Sequence, residues 1–473
     1  MFKNKHLTIY LFGYLFIWIA LTTLFNNKYA IGANVVENMV WSHNLSIMYD
    51  KHPGLGAFVL KIFSFITFDN PILTTVLASG ACILVALIYT YKISRLYFSK
   101  EESTLIVIAT TFSAFYILRY FTLYNQNIIL LPFWVMASYY FLLIQSNNSY
   151  RNWILLSIVT ALGVYAKFEI LLLSGIMFLY IVFTFKKEYI SKLLVAAIIF
   201  FLAITPALIG IAKQNYTPIL WIFSEAKIAG HQGIITKILI GQLYNLLLIV
   251  YTAAPLLIIF IFIKIKKISF SNYKFLSNLK HPLVAVCLYP LFFVFILQSC
   301  YGTLPDGWGL AILSLFLPGI YKLLNLEIIK TINFKKLISI LLILQLTIFS
   351  SYTIVKYFND AYVDENTGNS LAIEADSFWS KYDNSPIPYV SGYSADYLAA
   401  FSKSKPILLR DYNTAPKNTK VLISMPGCNG YEKNIEQSGF KILDQECVNI
   451  SSINKYQNQT KEFSLFIIEK IGS

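Results

Sequence analysis

The chain has 473 residues, of which 57% are apolar and only 13% charged. Soluble domains carry roughly 25% charge, so the composition excludes an ordinary soluble protein and indicates a polytopic α-helical membrane protein. The net charge of +14 falls mostly in short loops between apolar runs. It marks topology, so nucleic acid is excluded as a partner and membrane lipid is the expected surrounding.

The first 25 residues resemble a signal peptide, with Lys3 and Lys5 before an apolar run. Leu24-Phe25-Asn26-Asn27 makes a poor cleavage site, so a retained first helix is expected. A span needs about 20 apolar residues. On that rule about eleven spans are expected, near 7–25, 72–91, 104–118, 127–145, 153–167, 168–185, 190–212, 239–263, 282–299, 308–325 and 333–355. The fifth and sixth share one apolar stretch, broken by Lys167-Phe168-Glu169. Eighteen Lys and Arg lie on the side that holds Lys3 and Arg95, and eight on the side that holds Lys51 and Lys167. This bias places the N-terminus in the cytoplasm and, with eleven spans, the C-terminal tail outside the cytoplasmic (inner) membrane.

Residues 26–70 read as a long outer loop with two interfacial helices, 34–48 and 54–68. The second has Leu55, Phe58, Val59, Ile62, Phe63 and Ile66 at helical spacing. From about 360 the composition turns polar, and strand-like pieces appear at 387–391, 421–424 and 463–468. The expected organisation is a transmembrane domain over 1–358 and a small extracytoplasmic α/β domain over 359–473. Of the five cysteines, Cys82 and Cys287 lie in apolar runs. Cys428 and Cys447 lie in the tail, where a disulfide is open to them outside the cytosol.

The unusual polar residues gather on the outer side. Glu37, Asp50, Lys51 and His52 are in the first loop, Arg119, Asn125 and Asn127 in the second, and Lys167 and Glu169 at the third. Trp221 and His231 follow in the fourth, and Asp306 and Trp308 in the fifth. Convergence from separate loops is what an active site needs. Each residue has two readings. Glu37 is a general base, for which partial burial is favourable, or a solvated loop acid. Asp50-Lys51-His52-Pro53 is a turn fixed by its proline, in which Lys51 or His52 meets a phosphate and Asp50 orients one of them. Lys167 binds a phosphate, pairs with Glu169 or marks a span end, and Arg119 has the same choice. Asn125 and Asn127 contact sugar hydroxyls or cap the next helix. Trp221 and Trp308 stack on a sugar or sit at the interface. There is no P-loop and no HExxH helix.

The run Glu37-Asn38-Met39-Val40-Trp41-Ser42, followed by Tyr49-Asp50-Lys51-His52-Pro53-Gly54-Leu55, resembles the first-loop signature of the GT-C glycosyltransferases. Within them it is similar to the branch of protein O-mannosyltransferases and of the lipid A aminoarabinose and galacturonic acid transferases (glycosyltransferase family 39-like). Gly54 stands where that branch has a second proline. Asn125 to Trp134, Ala166-Lys167-Phe168 and Gly307-Trp308-Gly309 look like its later motifs. Many members carry an Asp shortly before the loop Glu, where this chain has Asn34, so Glu37 would act alone or with Asp50.

The resemblance implies sugar transfer from a polyprenyl-phosphate donor to a cell-envelope acceptor, whether lipid A or lipopolysaccharide, another glycan, or protein. Glu37 and Asp50 would be catalytic. Lys167, Arg119, Lys51 and His52 would face the donor phosphate, and Asn125, Asn127, Trp221 and Trp308 the sugar or acceptor. A divalent metal is left open, with only Glu37, Asp50, His52 and His231 placed to bind one. The competing reading is a flippase for lipid-linked sugars, which predicts mid-membrane charges and internal repeats. This chain has acids at the membrane edge instead.

Overall fold

The computed structural model describes residues 4–25, 33–113, 116–117, 124–184, 186–228, 234–270, 275–301, 310–358, 363–428, 430–451 and 460–470. In chain order the helices are α1 (Lys5–Phe25), α2 (Ala33–His43), α3 (Leu55–Ile66), α4 (Pro71–Tyr97), α5 (Lys100–Thr110), α6 (Gln126–Ser146) and α7 (Tyr150–Ala166). They continue with α8 (Ile170–Phe183), α9 (Ile190–Lys213), α10 (Thr217–Ile228), α11 (Ile234–Lys264), α12 (Phe275–Leu279) and α13 (Pro282–Tyr301). The last are α14 (Leu310–Leu313), α15 (Phe316–Leu323), α16 (Phe334–Phe358), α17 (Val363–Tyr382), α18 (Ala395–Phe401) and α19 (Glu432–Gln437). The strands are β1 (Ile268–Phe270), β2 (Leu326–Ile328), β3 (Tyr389–Gly392), β4 (Ile407–Leu408), β5 (Lys420–Pro426), β6 (Phe440–Ser451) and β7 (Thr460–Lys470).

Five helical stretches among the described residues are long and apolar enough to cross a membrane: Lys5–Leu24, Pro71–Tyr97, Gln126–Ser146, Lys187–Lys213 and Phe334–Tyr352. The boundaries follow local chemistry. Pro71 opens α4 at the position where its missing N–H costs nothing, while Asn70 Oδ1 accepts from the Leu73 N–H at 3.0 Å. Ser99 and Glu102 form a capping box that starts α5. At 11 residues, α5 alone is too short for the span expected at 104–118. The division at Lys167-Phe168-Glu169 is present as the turn between α7 and α8.

The chain divides into two compact units. The first comprises Met1–Leu21, Ser46–Val59 and Val76–Ser351. Its interior carries a ladder of buried polar contacts. Asn4 Nδ2 donates to Thr104 Oγ1 at 2.7 Å, Tyr10 and Thr111 share a hydroxyl contact of 2.6 Å, and Trp18 Nε1 donates to Gln345 Oε1 at 3.0 Å. Such bonds favour one alignment of helices where the hydrophobic effect cannot. Glu102 is buried as well and accepts from the Ile328 N–H at 3.1 Å.

The second unit comprises Thr22–Leu45, Leu60–Thr75 and Tyr352–Ser473. Its five-stranded sheet has the order β4-β3-β5-β7-β6. The β3 strand pairs parallel with β4 and β5, and β7 pairs antiparallel with β5 and β6. Side chains alternate with period two. Leu422, Leu465 and Ile467 face α17 and α18 in one core, while Val421, Ile423, Phe466 and Ile468 face α19 in another. Val40 of α2 packs against the first of these cores. Cys428 and Cys447 form a disulfide with Cα atoms 5.4 Å apart.

Candidate active site

In the first unit the α7 helix ends at Ala166, and Lys167 takes an extended conformation as its C-cap. The Lys167 N–H still donates to the Gly163 carbonyl at 2.9 Å. Its side chain turns into a largely buried position, with the residue only 9% exposed. There Lys167 Nζ donates to Asn127 Oδ1 at 2.6 Å and pairs with Glu169 Oε2 at 2.6 Å. The Asn127 position is fixed by its neighbour, because Asn125 Oδ1 caps α6 by accepting from the N–H groups of Asn127 and Ile128. Asn125 thus caps α6, and Asn127 accepts from Lys167. A buried cation needs such partners, since removing it from water costs several kcal/mol. The second carboxylate oxygen, Glu169 Oε1, is buried with no hydrogen-bond partner among the described residues. This acceptor can take a bond from a hydroxyl.

The segment Ser46–Gly54 is a tight reversal. Met48 and Pro53 form an isolated bridge, the Tyr49 N–H donates to the His52 carbonyl at 2.9 Å, and the Gly54 N–H donates to the Ile47 carbonyl at 2.9 Å. A Cβ at Gly54 would lie 1.8 Å from the Ser46 carbonyl oxygen. This close approach accounts for glycine where the related signature has proline. Met48 packs with Ala207 and Ile211, beside Tyr165 and Phe168. The reversal and the Lys167-Phe168-Glu169 turn therefore share one apolar contact set.

His52 meets Trp221 edge to face, with ring centroids 4.7 Å apart. Burial pushes the His52 imidazole down to about 3, and the charges of Lys167 and then Lys51 add to the effect. The imidazole is therefore neutral at pH 7. Asp50 and Lys51 are half-buried in the same reversal. The first unit thus brings together His52, Lys51, Lys167, Asn127 and Trp221, and adds Glu169 as a direct partner.

Glu37 belongs to the second unit. It lies on α2, between Val36 and Asn38, which are both fully buried. Its side chain is 12% exposed, and Arg410 Nη2 donates to its Oε1 at 3.3 Å. Arg410 Nη1 reaches Asp396 Oδ1 at 3.4 Å. Neither Arg410 nor Asp396 carries a motif in the sequence, and no local signal marks either as a partner of Glu37. Arg119, His231, Asp306 and Trp308 lie outside the described residues. Among the described residues no group of three or more His, Cys, Asp or Glu side chains could hold a metal ion.

Residues 51–209 match the Dolichyl-phosphate-mannose-protein mannosyltransferase family. The crystal structure of ArnT from Cupriavidus metallidurans bound to undecaprenyl phosphate is similar, with a TM-score of 0.62 at 9% identity, over 97% of each chain. The same protein in the apo state gives 0.51 at 10% identity, over 98% of each chain. No curated protein matches the sequence significantly. The chain therefore has the fold of ArnT, and its residues 51–209 resemble the Dolichyl-phosphate-mannose-protein mannosyltransferase family.

Proposed function

We propose that the chain is an integral-membrane glycosyltransferase. It moves a sugar from a polyprenyl-phosphate donor to a cell-envelope acceptor on the outer side of the cytoplasmic membrane. The observation that carries this reading is where the family match falls. Residues 51–209 include Lys51, His52, Asn127, Lys167 and Glu169, the polar cluster of the first unit. The likeness to ArnT bound to undecaprenyl phosphate supports a lipid phosphate as the carrier. The Lys and Arg bias and the Cys428–Cys447 disulfide support eleven spans and an outer C-terminal segment.

In the transfer an acceptor hydroxyl oxygen attacks the anomeric carbon while the bond from that carbon to the phosphate oxygen breaks. The polyprenyl phosphate leaves with the electron pair, and the hydroxyl proton passes to a carboxylate. In-line displacement inverts the anomeric centre. The leaving phosphate needs a positioned cation, for which the first unit supplies Lys167 and Lys51. A phosphate oxygen would join or displace Glu169 at Lys167. Neutral His52 would contribute a hydrogen bond and no charge. The proton needs a base, and Glu37, which accepts from Arg410, is the residue proposed for that role. Where the acceptor is itself a phosphate no base is needed, and Glu37 then binds or orients it.

The test is transfer of labelled sugar from polyprenyl-phosphate donors in membranes holding equal amounts of wild type or Glu37→Gln. A general base contributes about 100- to 10,000-fold, so the variant is expected to lose at least the lower figure. Wild-type rates in Glu37→Gln would remove the base role. Donor that changes leaflet without transfer would favour a flippase.

A further inference from the structure

Within the second unit a pocket of about 180 Å³ opens where the end of α2, the middle of α3 and the segment after α18 meet. Three lysines line it, namely Lys61 of α3, Lys403 and Lys405, against a single acid, Asp69. Asp69 Oδ1 is 3.6 Å from Lys405 Nζ. Lys61 and Lys403 have no carboxylate partner among the described residues, and Lys61 lies 5.5 Å from the centre of the Phe65 ring. His43 also lines the pocket, and its Nδ1 is buried with no hydrogen-bond partner among the described residues. Burial, followed by the charges of Lys405 and Lys61, pushes this imidazole down to about 4, with Asp69 opposing. The lining thus sets three lysines against one carboxylate, while the Ser64 and Ser402 hydroxyls already donate to the Lys61 carbonyl and to Asp376.

The helix that supplies Lys61 also presents an apolar edge. Ile62, Phe65 and Ile66 are 61%, 73% and 62% exposed, and Phe68 just beyond is 95% exposed. Contiguous exposure of large apolar groups marks an interaction surface. A cationic pocket beside an apolar edge is complementary to one kind of molecule, an amphiphile with an anionic head.

We propose that this pocket holds the phosphate-bearing headgroup of an anionic membrane lipid, with its acyl chains along the Ile62–Phe68 edge. The site does not rest on the transfer reading, because none of its residues has a role in that chemistry.

The test uses the full-length protein purified in detergent, with retention of phosphatidylglycerol and phosphatidylcholine read by native mass spectrometry. Wild type is expected to retain phosphatidylglycerol selectively. Removing one lysine near a charged headgroup costs about fivefold in affinity, so Lys61→Gln with Lys403→Gln should lose about 25-fold. Lys61→Arg with Lys403→Arg should retain binding, which separates lost charge from a damaged fold. Phe65→Ser should weaken phosphatidylglycerol and leave competition by inorganic phosphate unchanged. Equal retention of the two lipids, or equal binding by wild type and the double Gln variant, would overturn the proposal. Full displacement by inorganic phosphate, with no effect of Phe65→Ser, would show a free-anion site and overturn the lipid assignment.

Discussion

Lys167 is the residue whose two readings the structure allows to be separated. Its Nζ pairs with Glu169 at 2.6 Å, and the two side chains are only 11% and 13% exposed. Glu169→Leu removes this carboxylate and keeps the contact with Asn127. Breaking a buried pair by removing one partner costs 3–5 kcal/mol, and residual exposure puts this pair near the lower end, at about 3 kcal/mol. At about 2 °C per kcal/mol for a large chain, the unfolding midpoint in detergent should fall by about 6 °C. Lys167→Met should cost a similar amount. The double variant Lys167→Met/Glu169→Leu removes both charges, so most of the stability should return. Transfer of labelled sugar should not return if Lys167 meets the donor phosphate. A double variant that regained both stability and transfer would refute the phosphate role and leave a structural pair. Additive losses of stability would refute the coupling itself.

Arg410→Ala should change stability by less than about 1 kcal/mol, because its side chain is 50% exposed. Transfer should fall about tenfold as Glu37 loses the Arg410 contact, and Arg410→Lys should restore it only in part. His52 has a folded value of about 3, below an unfolded value of about 6.5, so folding excludes its proton. Stability should therefore fall as pH drops below about 6.5 and level off near 3. His52→Gln should flatten that limb in melting curves, and adding His43→Gln should flatten it further, since His43 is shifted the same way. Replacing Cys428 and Cys447 by Ser opens a loop with a sequence separation of 19 and should cost about 3 kcal/mol, read by the same melts.

What could be read from the sequence was local. The α3 helix, the break at Lys167-Phe168-Glu169 and three of the strands each declared themselves through spacing or a breaker residue, whereas the helix expected over 34–48 ends as α2 at His43 and gives way to the Ser46–Gly54 reversal. The β6 strand did not, because Lys441, Asp444, Gln445 and Glu446 interrupt its apolar positions and only pairing with β7 makes it a strand. The Lys167–Glu169 contact was visible as a possibility two residues apart. Its third member, Asn127, lies 40 residues away. The Arg410 contact with Glu37 crosses 373 residues, and nothing in either local segment encodes it. Fold-level patterns arise from periodicity, while these contacts arise from tertiary placement, which a single sequence does not print.

That 373-residue separation also has a consequence in time. During synthesis Glu37 emerges long before the arginine that holds it, by roughly 20–75 s at ordinary elongation rates. Until β4 and its successors have formed, the α2 helix lacks the core that Val40 packs against. The nascent protein would therefore carry its candidate base without the Arg410 contact, and gain that contact only after the last spans have been inserted. Biogenesis itself would then delay activity until the whole chain is made.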